Sequence, residues 1–433
     1  MTPTTEDELR DKIRLLELEN ETLRLLKRTS NVYSKVDEYF SLDEYKRYGR
    51  QMIVPQFGSL ESQKKLKMSK ILVVGAGGLG SPVLEYLSAA GVGAIGILDD
   101  DIVDMSNLHR QVIHQTTTVG TLKCESAKAF IRKINPHVNI FTHPMRLSND
   151  NAFEIFNQYD LVLDCTDHPA VRYLINDVCV LLGKTIVSGS GLKADGQFTI
   201  LNFRNIGPCY RCFYPQAPSP STVTSCADGG VIGPAIGMVG IAMAMETIKV
   251  LTEYYNEENF KPFLSSYSAY PHQQIRNFKM RPKQINCIAC GKRREITKEK
   301  IENGEIDYVA FCGKVAYEPL DQKHRVSVKD YHGILNLGKV HKLIDVRPKE
   351  QYNITKLPNS VNIEWDPVFR KLESLEEYLP IQKSDDIYLI CRYGNDSQLA
   401  TKKLHDLGFQ NAKSTDGGID KWSVVINSSI PKY

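Results

Sequence analysis

Residues 71–111 read ILVVGAGGLGSPVLEYLSAAGVGAIGILDDDIVDMSNLHRQ. An apolar strand at 71–74 runs into Gly75, Gly77, Gly78 and Gly80. A helical run follows, and a second apolar strand ends in Asp99, Asp100 and Asp101. That order brings backbone N–H groups and a helix N-terminus to a phosphate, with an acid where a ribose sits. SNLHRQ then puts Asn107, Arg110 and Gln111 just past the acid. A nicotinamide site has no need of that arginine. A triphosphate such as that of ATP needs its charge neutralised.

Outward from this unit, apolar strands alternate with helices from about 71 to 290, inside a domain expected to span 41–290. Strands are expected at 71–74, 94–98, 138–142, 161–165 and 185–188, in a mainly parallel sheet covered on both faces. The run YPQAPSPSTVTSCADGGVIGP after Tyr210 reads as a long loop. Residues 291–325 are charged and poorly patterned, and are expected to be linker. A smaller α/β unit occupies 326–433. Residues 1–40 form an N-terminal helical segment in which Leu9, Ile13, Leu16 and Leu23 recur at heptad-like spacing, with Asn20 at a polar seam position.

The chain has 433 residues and a formal net charge of +3, too small to argue for nucleic-acid binding. Its first thirty residues lack the apolar core of a secretory signal. The longest apolar run, around GPAIGMVGIAMAM, is short for a membrane span and is expected to be a buried helix. Ten cysteines without a secretory signal point to reduced thiols, metal ligands or catalysis, and to a cytoplasmic protein without membrane contact. Cys209 and Cys212 form one CxxC, and Cys287 and Cys290 form another. Two chelating thiolate pairs suit tetrahedral Zn²⁺, while a redox pair is the rival. Cys226 sits in the long loop, where packing explains it poorly. Cys391 follows an apolar strand and opens CRYGNDSQ before a helix, a setting that favours a thiolate or persulfide anion.

GAGGLG, DDDIVDMSNLHRQ, GTLKCESAK and VLDCTDHPAVR, in this order, resemble the ThiF and MoeB family. The resemblance implies a Rossmann-like α/β domain that binds ATP and adenylates the C-terminal glycine of a ubiquitin-like protein. It implies that Gly77 faces the phosphates and Asp99 holds the ribose. Arg110 and Lys123 contact the phosphates, and Asp167 positions Mg²⁺. Ser106, Asn107, Leu108, His109 and Thr166 belong to the same nucleotide-binding set. Arg50, in RYGRQ, matches an arginine that reaches the partner subunit's ATP, so a homodimer is implied. In the family the paired CxxC motifs hold one structural zinc, and the position of Cys226 receives or releases the activated glycine.

IDVRP, LPNSVNI and CRYGNDSQ resemble rhodanese sulfurtransferases, with Cys391 as the sulfur-carrying residue and Asp345 and Arg347 as loop supports. A rhodanese-like phosphatase needs an arginine six positions after the cysteine, where Ser397 stands. The domain order resembles eukaryotic enzymes that activate a ubiquitin-related modifier. It implies a sulfur-carrier protein ending in Gly-Gly and an upstream persulfide donor such as a cysteine desulfurase. The product would be a carrier thiocarboxylate for 2-thiolation of tRNA wobble uridine and for conjugation to lysines. Service chiefly to molybdopterin synthase, or a nonenzymatic adaptor role, stays open.

Overall fold

The computed structural model describes residues 5–30, 39–216, 229–306, 308 and 320–433. Cys226 lies outside the described residues. The first sheet has eight strands: β1 (Lys70–Val74), β2 (Ala94–Leu98), β3 (Asn139–His143), β4 (Leu161–Asp164), β5 (Thr185–Leu192), β6 (Asp195–Leu201), β7 (Phe263–Ser268) and β8 (Gln274–Lys279). Their order is β3-β2-β1-β4-β5-β6-β7-β8. The first five are parallel, with Val73 of β1 opposite Ile97 of β2 and Leu163 of β4. β1 carries four consecutive buried residues because helices cover both of its faces. The chain builds outward from β1 to β3, then crosses back to β4. The reversal leaves a crevice at the C-terminal ends of β1 and β4.

The expectation of a mainly parallel sheet is corrected at its other edge. β5 turns back into β6, and β6, β7 and β8 are antiparallel. β8 is exposed along its whole length, so no alternation of apolar residues marked it. The helix Gly233–Leu251 is long and apolar enough to cross a membrane by length and composition alone. It packs here as a core helix, with Ala235, Ile236, Val239 and Met243 buried in the cluster that also holds Leu79, Val83 and Val187. Part of the stretch expected to be linker is core as well. Ile296, Ile301 and Tyr308 are buried in a second cluster against the helix Pro169–Leu182.

The second sheet is wholly parallel, in the order β11-β10-β12-β13-β9. Its strands are β9 (Arg325–Ser327), β10 (Lys342–Asp345), β11 (Ser360–Asn362), β12 (Ile387–Ile390) and β13 (Ala412–Asp416). Ile344, Leu389 and Phe369 fill one face of it, and Tyr331, Tyr388 and Trp422 fill the other.

Candidate functional site

The glycine loop follows β1. Gly75 has φ of 97°, and a Cβ on Gly80 would lie 2.0 Å from the Gly75 carbonyl oxygen, so the turn closes only without side chains there. Asp99, one residue past β2, accepts from the Ala76 N–H at 2.7 Å through Oδ2 and from the Asp101 N–H at 2.9 Å through Oδ1. Burial pushes its carboxyl above the ordinary value, against the opposing pull of Lys123. The buried Lys123 opens the helix Lys123–Ile134 and donates to Asp101 at 2.7 Å. Arg110 donates to Asn107 Oδ1 at 2.5 Å and to the Ser106 carbonyl at 3.2 Å. Its neighbours Leu108 and His109 complete that turn, and a Cβ on Gly233 would lie 2.3 Å from the His109 carbonyl oxygen. The N-terminus of the helix Gly233–Leu251 therefore abuts the arginine turn, while the helix Gly80–Ala90 begins at the glycine loop itself.

Sequence reasoning missed the supports beneath this loop. His114 is buried and donates through Nε2 to the Ala76 carbonyl at 2.9 Å. Burial lowers its pKa. Gln111 Oε1 is buried without a partner, and its side-chain nitrogen lies 3.5 Å from where a Gly77 Cβ would sit. Polar capacity thus remains beside the phosphate turn. Asp164 ends β4 fully buried and forms an ion pair with Arg172 at 2.8 Å. It also accepts from Thr166 Oγ1 at 2.6 Å and from Ser188 Oγ at 2.8 Å. Burial works against the Arg172 charge, but Asp164 outweighs it and raises the guanidinium pKa. Asp164 and Arg172 both stand in VLDCTDHPAVR. Their pairing needs the strand end and the next helix to fold together.

Asp167 stands apart from that network. His168, not Asp167, caps the helix Pro169–Leu182, its Nδ1 accepting from the Ala170 N–H at 3.2 Å. Asp167 is exposed and makes no hydrogen bond or ion pair among the described residues. Arg50 is likewise exposed near the end of the helix Leu42–Met52, with no such partner among the described residues.

The four cysteines converge. Cys209 Sγ lies 3.9 Å from Cys212 and 3.6 Å from Cys287, and Cys212 lies 3.4 Å from Cys290. All four sulfurs fall within 4.8 Å of one another. A tetrahedral zinc with Zn–S bonds near 2.3 Å requires sulfurs about 3.8 Å apart, so the set fits. The Gln284 N–H donates to Cys212 Sγ at 3.4 Å. Cys209 and Cys290 pull the Cys212 thiol below its ordinary value. The cluster joins the segment after β6 to the segment after β8. Behind it, Arg211 meets Asp177 at 2.7 Å, both buried, and Tyr308 donates to the same carboxylate at 2.9 Å.

In the second domain Cys391 follows β12. Its Sγ accepts from the Gly394 N–H at 3.1 Å and contacts Ser397 Oγ at 3.4 Å. Gly417 and Gly418 press against the loop from outside. A Cβ on Gly418 would lie 2.2 Å from the Cys391 carbonyl oxygen. These hydrogen bonds lower the thiol pKa as the sequence leads one to expect, but burial, aided by Asp396, outweighs them and raises it. Asp345 ends β10 and pairs with the buried Arg347, whose Nε lies 2.9 Å from Oδ1, beneath the same sheet end. Ser397 is buried against Ser414 at 2.9 Å, so no guanidinium grips an anion there.

The ThiF family profile matches residues 48–289, and the rhodanese-like domain profile matches residues 327–424. The Candida albicans protein named adenylyltransferase and sulfurtransferase UBA4 is 63% identical over 438 residues, covering 100% of both chains. The Saccharomyces cerevisiae protein of that name is 52% identical over 436 residues, covering 98% of each. A crystal structure of E. coli MccB with MccA-N7isoASN superposes with a TM-score of 0.50 at 21% identity, over 59% of this chain and 77% of that one, and shares the fold. The chain belongs to the ThiF family, as an adenylyltransferase and sulfurtransferase that continues into a rhodanese-like domain.

Proposed function

We propose that the enzyme adenylates the C-terminal glycine of a ubiquitin-like sulfur carrier and replaces the adenylate with sulfur. The observation that carries this reading is the pairing in one chain of a cation-lined glycine loop with a cysteine loop. The relatives named for both activities support it.

ATP lies across the β1/β4 crevice, its phosphates on Gly77 and the two helix N-termini, its ribose on Asp99. Arg110 and Lys123 offset the charge when the carrier's carboxylate attacks the α-phosphate and pyrophosphate leaves. Ser106, Asn107, Leu108, His109 and Thr166 shape the pocket around them. Arg50, exposed and without a partner among the described residues, reaches the nucleotide of the other subunit in a homodimer. The exposed carboxylate of Asp167 offers hard oxygen ligation that fits Mg²⁺, which, when bound, neutralises phosphate charge. An apolar groove beside Arg172, lined by Gly189, Phe198, Tyr210, Tyr214 and Leu264, receives the carrier's Gly-Gly tail. Zn²⁺ at Cys209, Cys212, Cys287 and Cys290 serves structure. Metal analysis of the purified protein should find about one zinc per chain, and a zinc-free protein with full activity would refute the assignment.

Sulfur arrives on Cys391 as a persulfide, loaded by an upstream donor such as a cysteine desulfurase. The terminal sulfur displaces AMP from the acyl-adenylate and forms an acyl-disulfide. Cys226 either accepts the acyl group first as a thioester or attacks the Cys391 sulfur. The second course yields a Cys226–Cys391 disulfide and frees the carrier thiocarboxylate, and an external dithiol then restores both thiols. The product feeds 2-thiolation of tRNA wobble uridine. Eight described cysteines without a disulfide accord with a reducing, cytoplasmic setting. The test is direct: with ATP, Mg²⁺, a Gly-Gly carrier, a loaded donor and reductant, the carrier gains the oxygen-to-sulfur mass difference. An unmodified carrier despite ATP–pyrophosphate exchange would overturn the sulfur half.

A further inference from the structure

The helix Thr5–Ser30 carries side chains that nothing in the described chain covers. Every residue from 9 to 24 is exposed. Leu9 is 59%, Ile13 52%, Leu16 56% and Leu23 58% exposed, and with Asn20 they recur about once per turn along a heptad seam. Four such residues on one stripe have no reason to face water unless another surface covers them.

We propose that this stripe is an interface, and that its occupant is the same helix of a second copy, in a parallel, in-register, two-stranded coiled coil. Charge and polarity select that occupant. With Leu9, Leu16 and Leu23 at d and Ile13 and Asn20 at a, the flanking positions are Lys12 and Glu19 at g and Glu17 and Arg24 at e. In a parallel pair each g residue faces the e residue five positions on in the other helix. Lys12 then faces the partner's Glu17, and Glu19 faces the partner's Arg24. Both contacts are attractive, and symmetry repeats each one. Leucine at d with isoleucine at a favours two strands.

Asn20 fixes the direction. A parallel register sets Asn20 against the partner's Asn20, where the amides hydrogen-bond one another. An antiparallel one sets it against an apolar seam residue and buries an unpaired amide. Leu15 and Leu18 are also exposed, but a seam through them would bury Asp11 and Thr22. The helix spans 26 residues, about 39 Å, enough for more than three heptads.

Full-length Leu16→Cys under mild oxidation tests it. Facing d positions bring their Cβ atoms close enough for a disulfide. We expect several-fold more covalent dimer than the wild-type chain gives, with a 16–16 link in the peptide map. Leu18→Cys, on the far side of the helix, should stay at the wild-type level. Glu19→Lys should cut the Leu16→Cys link several-fold, and adding Arg24→Glu should restore it. Equal linking at both cysteines would overturn the proposal. So would failure of the charge swap to restore the link, or preferential linking of Leu16→Cys to Asn20→Cys chains.

Discussion

The glycine loop and the cysteine loop are built on one plan and tuned in opposite directions. Each follows a buried parallel strand, and each lies above a buried Asp–Arg pair at a neighbouring strand end: Asp164 with Arg172 beneath the glycine loop, Asp345 with Arg347 beneath the cysteine loop. The pair fixes the strand end without exposing a charge. Above it the two sites diverge. The glycine loop lies against Arg110, a cation that would meet the negative charge of a polyphosphate in the proposed reaction. The cysteine loop closes over one sulfur with neutral partners, the Gly394 N–H that donates to it and the Ser397 hydroxyl that accepts from its thiol. In the proposed reaction one loop binds charge, while in the other burial raises the pKa of the thiol.

The sharpest break of that comparison is Cys391→Ala. Carrier thiocarboxylate should disappear, while ATP–pyrophosphate exchange stays within about twofold of wild type. Exchange lost along with sulfur transfer would mean that the two loops do not work as separate centres. Asp345→Ala comes next. It leaves Arg347 buried without its carboxylate and should destabilise the rhodanese domain by about 3–5 kcal/mol. Both tryptophans of the chain, Trp365 and Trp422, lie in that domain, so fluorescence during urea unfolding reads its transition alone. An unshifted midpoint would deny the pair its supporting role. Arg110→Ala should cost about 10²–10³ in exchange rate, with zinc content and the tryptophan signal unchanged. A loss under tenfold would make Arg110 a surface charge held by Asn107.

How much of this could be read beforehand followed from where the physics leaves marks. Strands β1, β2 and β4 were legible because burial on both faces writes continuous apolar runs. β6, β7 and β8 were not, since β8 exposes every residue and is held through its backbone pairing. The cysteine quartet was legible from two CxxC pairs, because chelate spacing is itself a sequence pattern. The core role of Ile296, Ile301 and Tyr308 was hidden, as single apolar residues scattered through a charged stretch carry no period. Asp164 and Arg172 stood within a quoted motif without a role, and His114 lay outside every quoted motif, for such contacts are defined by tertiary structure. The place of Cys391 just after a buried strand was legible, but the direction of its pKa was not, since the deciding influence is burial.

That last point yields the smallest effect and the finest test. Burial raises the Cys391 thiol above its ordinary value, so at pH 7 the thiolate fraction is lower than for an exposed cysteine. Alkylation of the Cys391 peptide by iodoacetamide, followed by mass spectrometry, should therefore be slow at pH 7. It should rise about tenfold per pH unit and level off later than a model thiol of pKa about 8.5. Steric shielding alone would slow the reaction equally at every pH and leave the inflection where the model thiol has it. The shift of the inflection thus separates a hidden sulfur from a protonated one. Asp396→Asn should move the inflection back down, because it removes the negative charge that assists burial. If the wild-type inflection falls at or below the model thiol's, the loop stabilises an anion already at rest. The contrast with the glycine loop would then lie in the sign of charge each loop holds, and no longer in whether it holds one.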